Sequence, residues 1–383
     1  MRRVALLGST GSIGESTLRV VERHPERFAV TALAARSSVD RLREQAQRHR
    51  PQTVVLAEEG RGEPGWGRGA DAMAALCERS DVDVVVNAVV GFAGLEPTLR
   101  TLRAGKRLAL ANKESLVAGG DLVMRALAEG RGQLVPIDSE HSAILQCLSG
   151  YDPQDVARLV LTASGGPFRG RTASSLRDVT PAEALRHPTW SMGAKITIDS
   201  ATLANKALEV IEAHFLYGID FGRIGVVVHP QSIVHSFVEF RDGSVLAQLG
   251  YPTMELPILI ALSHPERVAD AELRTFDPVR MSPLTFEEVD HQAFPLFGLG
   301  VRAGEAGGAA PAVYNAANEV AVAAFLSERI SFPEMAQIVE ETLAGVGSRS
   351  VSDPEGLSAV DGEARRIAEE RIEARTRVGG ARR

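Results

Sequence analysis

Apolar and polar positions alternate along this chain in two different rhythms. The apolar run VALLG (4–8) breaks into glycines and then into GESTLRVVERH (14–24), whose apolar residues recur at helical spacing. The runs FAVTALAA (28–35), TVVLA (53–57), DVDVVVNAVV (81–90) and KRLALAN (106–112) read as further strands. SVDRLREQAQRH (38–49) and AMAALCER (72–79) read as helices between them, and EEGRGEPGWGRGAD (58–71) as a glycine-rich loop. Short apolar strands separated by helices predict a parallel sheet covered on both faces.

From about Gly132 the rhythm changes. QLVPIDSE, RLVLTASGG, AKITIDS, GVVVHPQSIVHSFVEF and SVLAQLGY read as strands with fewer helices between them. Arg241-Asp242-Gly243-Ser244 is a hairpin signal between the last two. Residues 265–290 have little periodicity and read as a linker. From His291 the pattern is helical, and the tail 377–383 is expected to be disordered. The expected domains are 1–130, 131–264 and 291–376, with the linker before the last.

Composition narrows the function. The 383 residues are 44% hydrophobic and 24% charged, as in ordinary globular proteins, and allow about two or three domains. A net charge of -7 argues against a nucleic-acid partner, which needs a basic face. The absence of an 18-residue apolar stretch argues against a membrane span. Two cysteines outside metal-type spacing, and an N-terminal apolar run too short for a signal sequence, point to the cytoplasm.

Several motifs carry chemistry, each with a plainer alternative. GSTGSIG, with Gly8, Gly11 and Gly14 between strand and helix, suits a pyrophosphate at a helix N-terminus, or is a bare turn. Arg36-Ser37-Ser38 ends the second strand where an NAD site needs an acidic residue; it suits a 2′-phosphate, hence NADP, or is a solvated loop. Lys113 and Glu114 follow a strand end, where open sheets bind ligands, or start a helix. In PIDSEHSAIL, an extended chain would aim Asp138 and Glu140 to one side as oxygen ligands for Mg²⁺ or Mn²⁺. The alternative is an N-cap at Asp138 or Ser139. Asn205 and Glu209 share a helix face, with Lys206 one step round; Glu209 is a candidate third carboxylate, or part of a solvated face. Ser164 and the glycines after it could form an anion nest. HPTWSMGAK (187–195) reads as a lid over substrate, or as a loop anchored by its own aromatic. His229 and His235 lie on one strand-like segment, with a buried structural role favoured for His229.

Taken together, GSTGSIG, ANKESLV, DSEH, TASGGPF, HPTWSMGAKITIDSATLANKALEVIEA, HPQSIVHS, DGSVLAQLGYPTM and NAANEVAVAAFL resemble the 1-deoxy-D-xylulose 5-phosphate reductoisomerase family of the non-mevalonate isoprenoid pathway. These segments run in order from residue 8 to about 326. The resemblance implies an α/β fold: an N-terminal Rossmann-like NADPH domain, an α+β catalytic domain with a mostly open sheet, and a C-terminal helical bundle. It implies NADPH contacts at Gly8, Thr10, Gly11, Ser12, Ile13, Asn112, Glu114 and Gly193, and a divalent cation (Mg²⁺, Mn²⁺ or Co²⁺) on Asp138, Glu140 and Glu209. Lys113, Ser139 and Glu140 would lie near the reacting end of a phosphorylated substrate. Ser164, His187, Ser200, Asn205 and Lys206 would line the substrate and phosphate pocket, under a flap carrying Trp190 and Met192. The family has a glycine-containing segment with an asparagine where this chain has Arg36-Ser37-Ser38. The implied reaction is a metal-assisted rearrangement followed by hydride reduction, in a homodimer. The rival reading is an NADP-dependent dehydrogenase of the semialdehyde or homoserine type, which needs no carboxylate triad.

Overall fold

The computed structural model describes residues 1–58, 62–190, 192–347 and 349–380, with side chains through 376. Contacts divide the chain into two units. The first comprises Met1–Ser115, Asp121–Gln146 and Thr253–Thr275; the second comprises Leu116–Gly120, Cys147–Pro252 and Phe276–Arg383.

In the first unit β1 (Arg2–Leu7), α1 (Ser12–Arg23), β2 (Phe28–Ala35), α2 (Val39–His49), β3 (Thr53–Leu56), β4 (Gly67–Arg68) and α3 (Gly69–Ala75) run in order. Then come β5 (Val84–Asn87), α4 (Leu95–Arg103), β6 (Arg107–Leu110), α5 (Lys113–Glu129), β7 (Gln133–Pro136) and α6 (Ser139–Cys147). Among the described residues the strands form one parallel sheet in the order β4-β3-β2-β1-β5-β6-β7. The order reverses between β1 and β5, and the crevice above the strand ends at such a reversal is where these sheets bind ligands. Both sheet faces are buried, which is why β1, β2 and β5 read as unbroken apolar runs. Of the expected loop 58–71, residues 59–61 lie outside the described residues, and 67–71 form β4 and the start of α3.

The second unit contains β8 (Val156–Ala163), α7 (Pro181–Ala184), α8 (Ala194–Ala201), α9 (Ala204–Tyr217), β9 (Ile224–Val228), β10 (Val234–Phe240) and β11 (Val245–Leu249). Its sheet has the order β11-β10-β8-β9, with only β8 and β9 parallel. α10 (Glu255–Ser263) then returns to the first unit. Its Ile258, Leu259, Ala261 and Leu262 pack into the same core as Val4, Leu6 and Val135. Helices α11 (Pro295–Ala306), α12 (Ala310–Leu326), α13 (Phe332–Val346) and α14 (Pro354–Gly380) complete the second unit.

Several expectations need correction. AKITIDS is helix α8 rather than a strand. Its alternating β-branched residues imitate a period of two, yet Thr197, Ile198, Asp199 and Ala201 bury as a helix does. Residues 139–147 are likewise helical, so Glu140 lies in the first turn of α6 and not on an extended strand. HPQSI turns the chain between β9 and β10, so His229 and His235 do not share one strand. The expected boundary at residue 130 falls within the first unit, and 253–275 belongs there too. The expected linker is not bare: Glu287 bridges Val228, and Phe286 stacks on His229 at 4.6 Å. α14 continues through Gly380, past the expected end at 376; residues 381–383 lie outside the described residues.

Candidate active site

In the first unit the turn after β1 is built by close approach. Gly8 has φ +82°, and a Cβ there would sit 2.3 Å from the Ala88 carbonyl oxygen. A Cβ on Gly14 would sit 2.3 Å from the Ser9 carbonyl oxygen. Gly11 caps α1 with no side-chain hydrogen bond, and Gly11 and Ser12 are exposed, with Thr10 and Ile13 half-buried. The turn therefore presents a helix N-terminus with no side-chain cap, beside the strand-order reversal; Glu15 in its first turn is engaged by Arg41 and Gln45. Arg36, Ser37 and Ser38 are all exposed. Behind them the Arg36 carbonyl accepts the Glu58 N–H (2.8 Å).

Asn112 is busier than its expected role suggests. Its Nδ2, with two N–H groups, lies within hydrogen-bond distance of Val89 O (2.8 Å), Gly91 O (2.9 Å) and Glu114 Oε2 (2.8 Å), and its Oδ1 accepts the Ser115 N–H as the cap of α5. The amide thus ties the loop after β5 to the loop after β6. Behind it, Asn87 donates to Thr98 Oγ1 and Gly94 O, and Thr98 bonds to Ser115. Sequence reading missed this buried chain; the available signal was a polar Asn87 closing the apolar run VVVN.

Asp138 sits at the joint between β7 and α6. Its carboxylate accepts the Ser139 N–H (3.1 Å) and its carbonyl accepts the Ser142 N–H (2.8 Å), so it does cap the helix. It also takes the Lys113 ammonium, which is buried. Ser139 Oγ donates to Glu140 Oε2. Buried His141 lies 3.9 Å from the Asp138 carboxylate. The N-cap alternative for PIDSEHSAIL is thus met at Asp138, and the strand-to-helix joint, rather than an extended segment, sets Asp138 and Glu140 at the sheet's carboxyl edge.

The second unit holds two clusters. In one, His187 Nε2 lies 3.0 Å from Ser164 Oγ and 3.2 Å from Ser200 Oγ. Its Nδ1 accepts the N–H groups of Thr189 (3.1 Å) and Trp190 (2.9 Å). Accepting at Nδ1 places the proton of the neutral ring on Nε2, facing the two hydroxyls. Burial pushes the His187 pKa below its ordinary value, favouring this neutral form. Gly166 has φ +66°, and a Cβ there would approach Ser200 O to 2.7 Å, so glycine lets β8's end touch α8. In the expected flap, Trp190 and Met192 are half-buried, Gly193 caps α8, and Ser191 lies outside the described residues.

In the other cluster Asn205 Nδ2 donates to Glu209 Oε1 at 2.5 Å, and the Lys206 ammonium pairs with Glu209 Oε2. Glu209 is 1% exposed and Lys206 3%. The solvated-face alternative is therefore wrong for this helix. Leu203 has φ +58°, the left-handed region that a β-carbon resists, at the corner where α8 gives way to α9. His229 is buried, bonded through its two ring nitrogens to Thr285 O and Ile233 N, as the structural reading expected.

Residues 4–120 match the family model described as 1-deoxy-D-xylulose 5-phosphate reductoisomerase. Residues 134–217 and 249–367 match the two models for its C-terminal domains. The chain belongs to the 1-deoxy-D-xylulose 5-phosphate reductoisomerase family. It is 50% identical over 377 residues to the reductoisomerase of Gloeobacter violaceus, covering 95% of this chain and 96% of that one. Among solved structures, the Zymomonas mobilis reductoisomerase in complex with NADPH aligns with a TM-score of 0.90 at 42% identity, over 97% of this chain and 99% of that one. A reductoisomerase in complex with NADPH, fosmidomycin and magnesium aligns at 0.93 with 38% identity, over 97% and 98%.

Proposed function

We infer that this chain is an NADPH-dependent reductoisomerase that converts 1-deoxy-D-xylulose 5-phosphate into 2-C-methyl-D-erythritol 4-phosphate, using a divalent cation. The observation that carries the reading is the pairing of acids with buried lysines: half-buried Asp138 with Lys113 and buried Glu209 with Lys206. A plain dehydrogenase has no use for an oxygen-only donor set of this kind, and the semialdehyde or homoserine alternative is not favoured.

Asp138, Glu140 and Glu209 are the proposed cation ligands. The donor set fits a hard ion, since every member is a carboxylate oxygen. Ser139 orients Glu140 by its hydrogen bond, and Asn205 does the same for Glu209. When bound, the cation supplies Lewis acidity toward the substrate's ketone oxygen and neighbouring hydroxyl. The dinucleotide supplies the hydride that reduces the rearranged aldehyde. Lys113, beside Asp138, stands ready to offset negative charge on substrate oxygens. Ser164, Ser200, Asn205, Lys206 and neutral His187 offer hydroxyl, amide, ammonium and Nε2–H donors to a phosphate. Binding that remote group lets the site hold the reacting end in register. Thr10, Gly11, Ser12 and Ile13 are proposed for the pyrophosphate, and Arg36 with Ser37 and Ser38 for the 2′-phosphate. Trp190 and Met192, on the flap, would exclude water from the aldehyde.

The protein is further proposed to be a cytoplasmic homodimer. Its two cysteines, Cys77 and Cys147, are buried free thiols, as suits a reducing compartment, and burial pushes the Cys77 thiol up to about 11. No helix among the described residues is long and apolar enough to cross a membrane. For the dimer, one face of the second sheet carries half-exposed Phe237, Val227, Ala247 and Leu249, with exposed Val245 and Phe286 beside them.

The test is NADPH oxidation with 1-deoxy-D-xylulose 5-phosphate, with Mg²⁺, Mn²⁺ or Co²⁺ and with EDTA. Activity should need the metal, and Glu209→Gln should lower it about 100-fold or more while NADPH affinity is kept. Full activity in EDTA, or in Glu209→Gln, would sink the reading.

A further inference from the structure

Asp199 is not among the residues assigned above, yet it is one of the most deeply buried charges in the second unit, at 1% exposure. Its Oδ2 lies 2.8 Å from the Lys195 ammonium, one turn earlier on α8. Its Oδ1 accepts a 2.7 Å hydrogen bond from Asn318 Nδ2 on α12. Helix physics does not explain this pair. Lysine in the first turn and aspartate in the last oppose the helix dipole, and lysine N-terminal to the acid is the weaker order at this spacing. Stability does not explain it either, since well-packed apolar residues commonly serve a core as well as a buried ion pair.

Asn318 is equally costly where it stands. It is fully buried in an alanine-rich helix, its Oδ1 has no hydrogen-bond partner among the described residues, and its amide donates to Asp199. Tyr314, one turn earlier, is also fully buried and donates to Leu296 O (3.0 Å); burial, then the Asp199 charge, pushes its phenol pKa up. Polar groups are therefore spent on fixing α8 against α12.

What α8 carries gives the reason. Ser200 follows Asp199 directly, and its hydroxyl is 3.2 Å from His187 Nε2. The same imidazole holds the flap backbone at Thr189 and Trp190. At the other end, Thr197 ties α8 to Gly193 by a 2.8 Å bond. Thr202 Oγ1 donates to the Asp199 carbonyl (3.2 Å) just before the strained Leu203 corner leading to Asn205. A rotation of α8 about its axis would move Ser200 off His187 and turn that corner.

We propose that Asp199, locked by Asn318 and Lys195, is a positioning residue that sets α8 so that Ser200 and the flap engage the phosphorylated substrate. The proposal rests on the reductoisomerase reading and adds the α12 helix to the substrate site. The test uses the full chain and compares the parent with Asp199→Asn and Asn318→Leu. Both variants should lose kcat/KM for 1-deoxy-D-xylulose 5-phosphate by about tenfold or more, carried mainly by KM, because small misplacements of binding groups cost that much. The KM for NADPH should rise less than the KM for substrate, since of the proposed dinucleotide contacts only Gly193 lies at α8, as its cap, and the rest lie in the first unit. Trp190 emission, read in a Trp66→Phe background, should lose its response to substrate at concentrations that saturate the parent. A substrate KM within about twofold of the parent in both variants would overturn the proposal. So would parallel losses for substrate and NADPH with a collapse of the thermal midpoint, which would mark a general folding role. If Asp199→Asn does not fold, Asn318→Leu decides, because it keeps the Lys195 pair. Inactivity of the parent itself would instead refute the reductoisomerase reading.

Discussion

His187 shows how much chemistry one ring can hold. Its Nδ1 must be an acceptor to keep Thr189 and Trp190, so the imidazolium form is incompatible with the flap contacts. Folding lowers its pKa, so the unfolded chain takes the proton first. The contribution is then fully present above the ordinary value of about 6.5 and lost as pH falls through the lower folded-state value. The substrate KM should rise toward acid pH. His187→Asn, which keeps an acceptor near the Nδ1 position and does not titrate, should flatten that limb while costing about tenfold in kcat/KM at neutral pH. A pH profile of both proteins checks this; an acid limb unchanged in the variant would remove His187 from the flap. The residue types at Asp138, Glu140, Glu209 and His187 were legible from the sequence because oxygen donors and imidazoles are rare in apolar surroundings. Their burial was not, and burial is what separates Glu209 from a solvated helix acid.

At the scale of elements, the dinucleotide turn was legible because strand, glycines and helix are adjacent in the chain. The need for glycine lies in space: at Gly14 a methyl group meets the carbonyls of Gly8 and Ser9. Gly14→Ala should destabilise the protein by about 1–3 kcal/mol and weaken NADPH more than substrate, seen as a lower thermal midpoint and a higher NADPH Kd. Helix α10 was missed altogether. ELPILIALS is apolar on all sides, as a fully buried helix is, and so lacks a helical stripe. It is held at its flanks by charge. Arg19 and Arg23 reach Glu255, and Arg23 and His24 reach Asp270 at 2.8 and 3.1 Å. Burial alone would raise the Asp270 pKa, but bonds from Arg23, the Glu272 N–H and His24 outweigh it and hold it below the ordinary value. That contribution is complete above the unfolded carboxylate value of about 3.9 and lost as pH falls through the lower folded-state value. Asp270→Asn should cost about 1.5–3 kcal/mol in urea unfolding at neutral pH, and the difference from the parent should shrink toward pH 3.

At the scale of the whole molecule, the second sheet predicts assembly. The ladder ends at β11, and the row through Phe237 and Ala247 leaves apolar side chains half-covered. Sedimentation at micromolar concentration should give twice the mass of one 40.9 kDa chain, and Phe237→Glu should shift the protein toward monomer. A parent that sediments as a monomer would refute the dimer. By itself the sequence determined the parallel N-terminal sheet, the glycine turn and the order of the chemical motifs, because each depends on residues near one another in the chain. Only the tertiary structure decided that 253–275 folds back into the first unit, that AKITIDS is a helix, and that Asp199 is held by Asn318. Those outcomes depend on which surfaces meet across 100 residues or more, as from Asp199 to Asn318, and a chain's local periodicity carries no record of its distant partners.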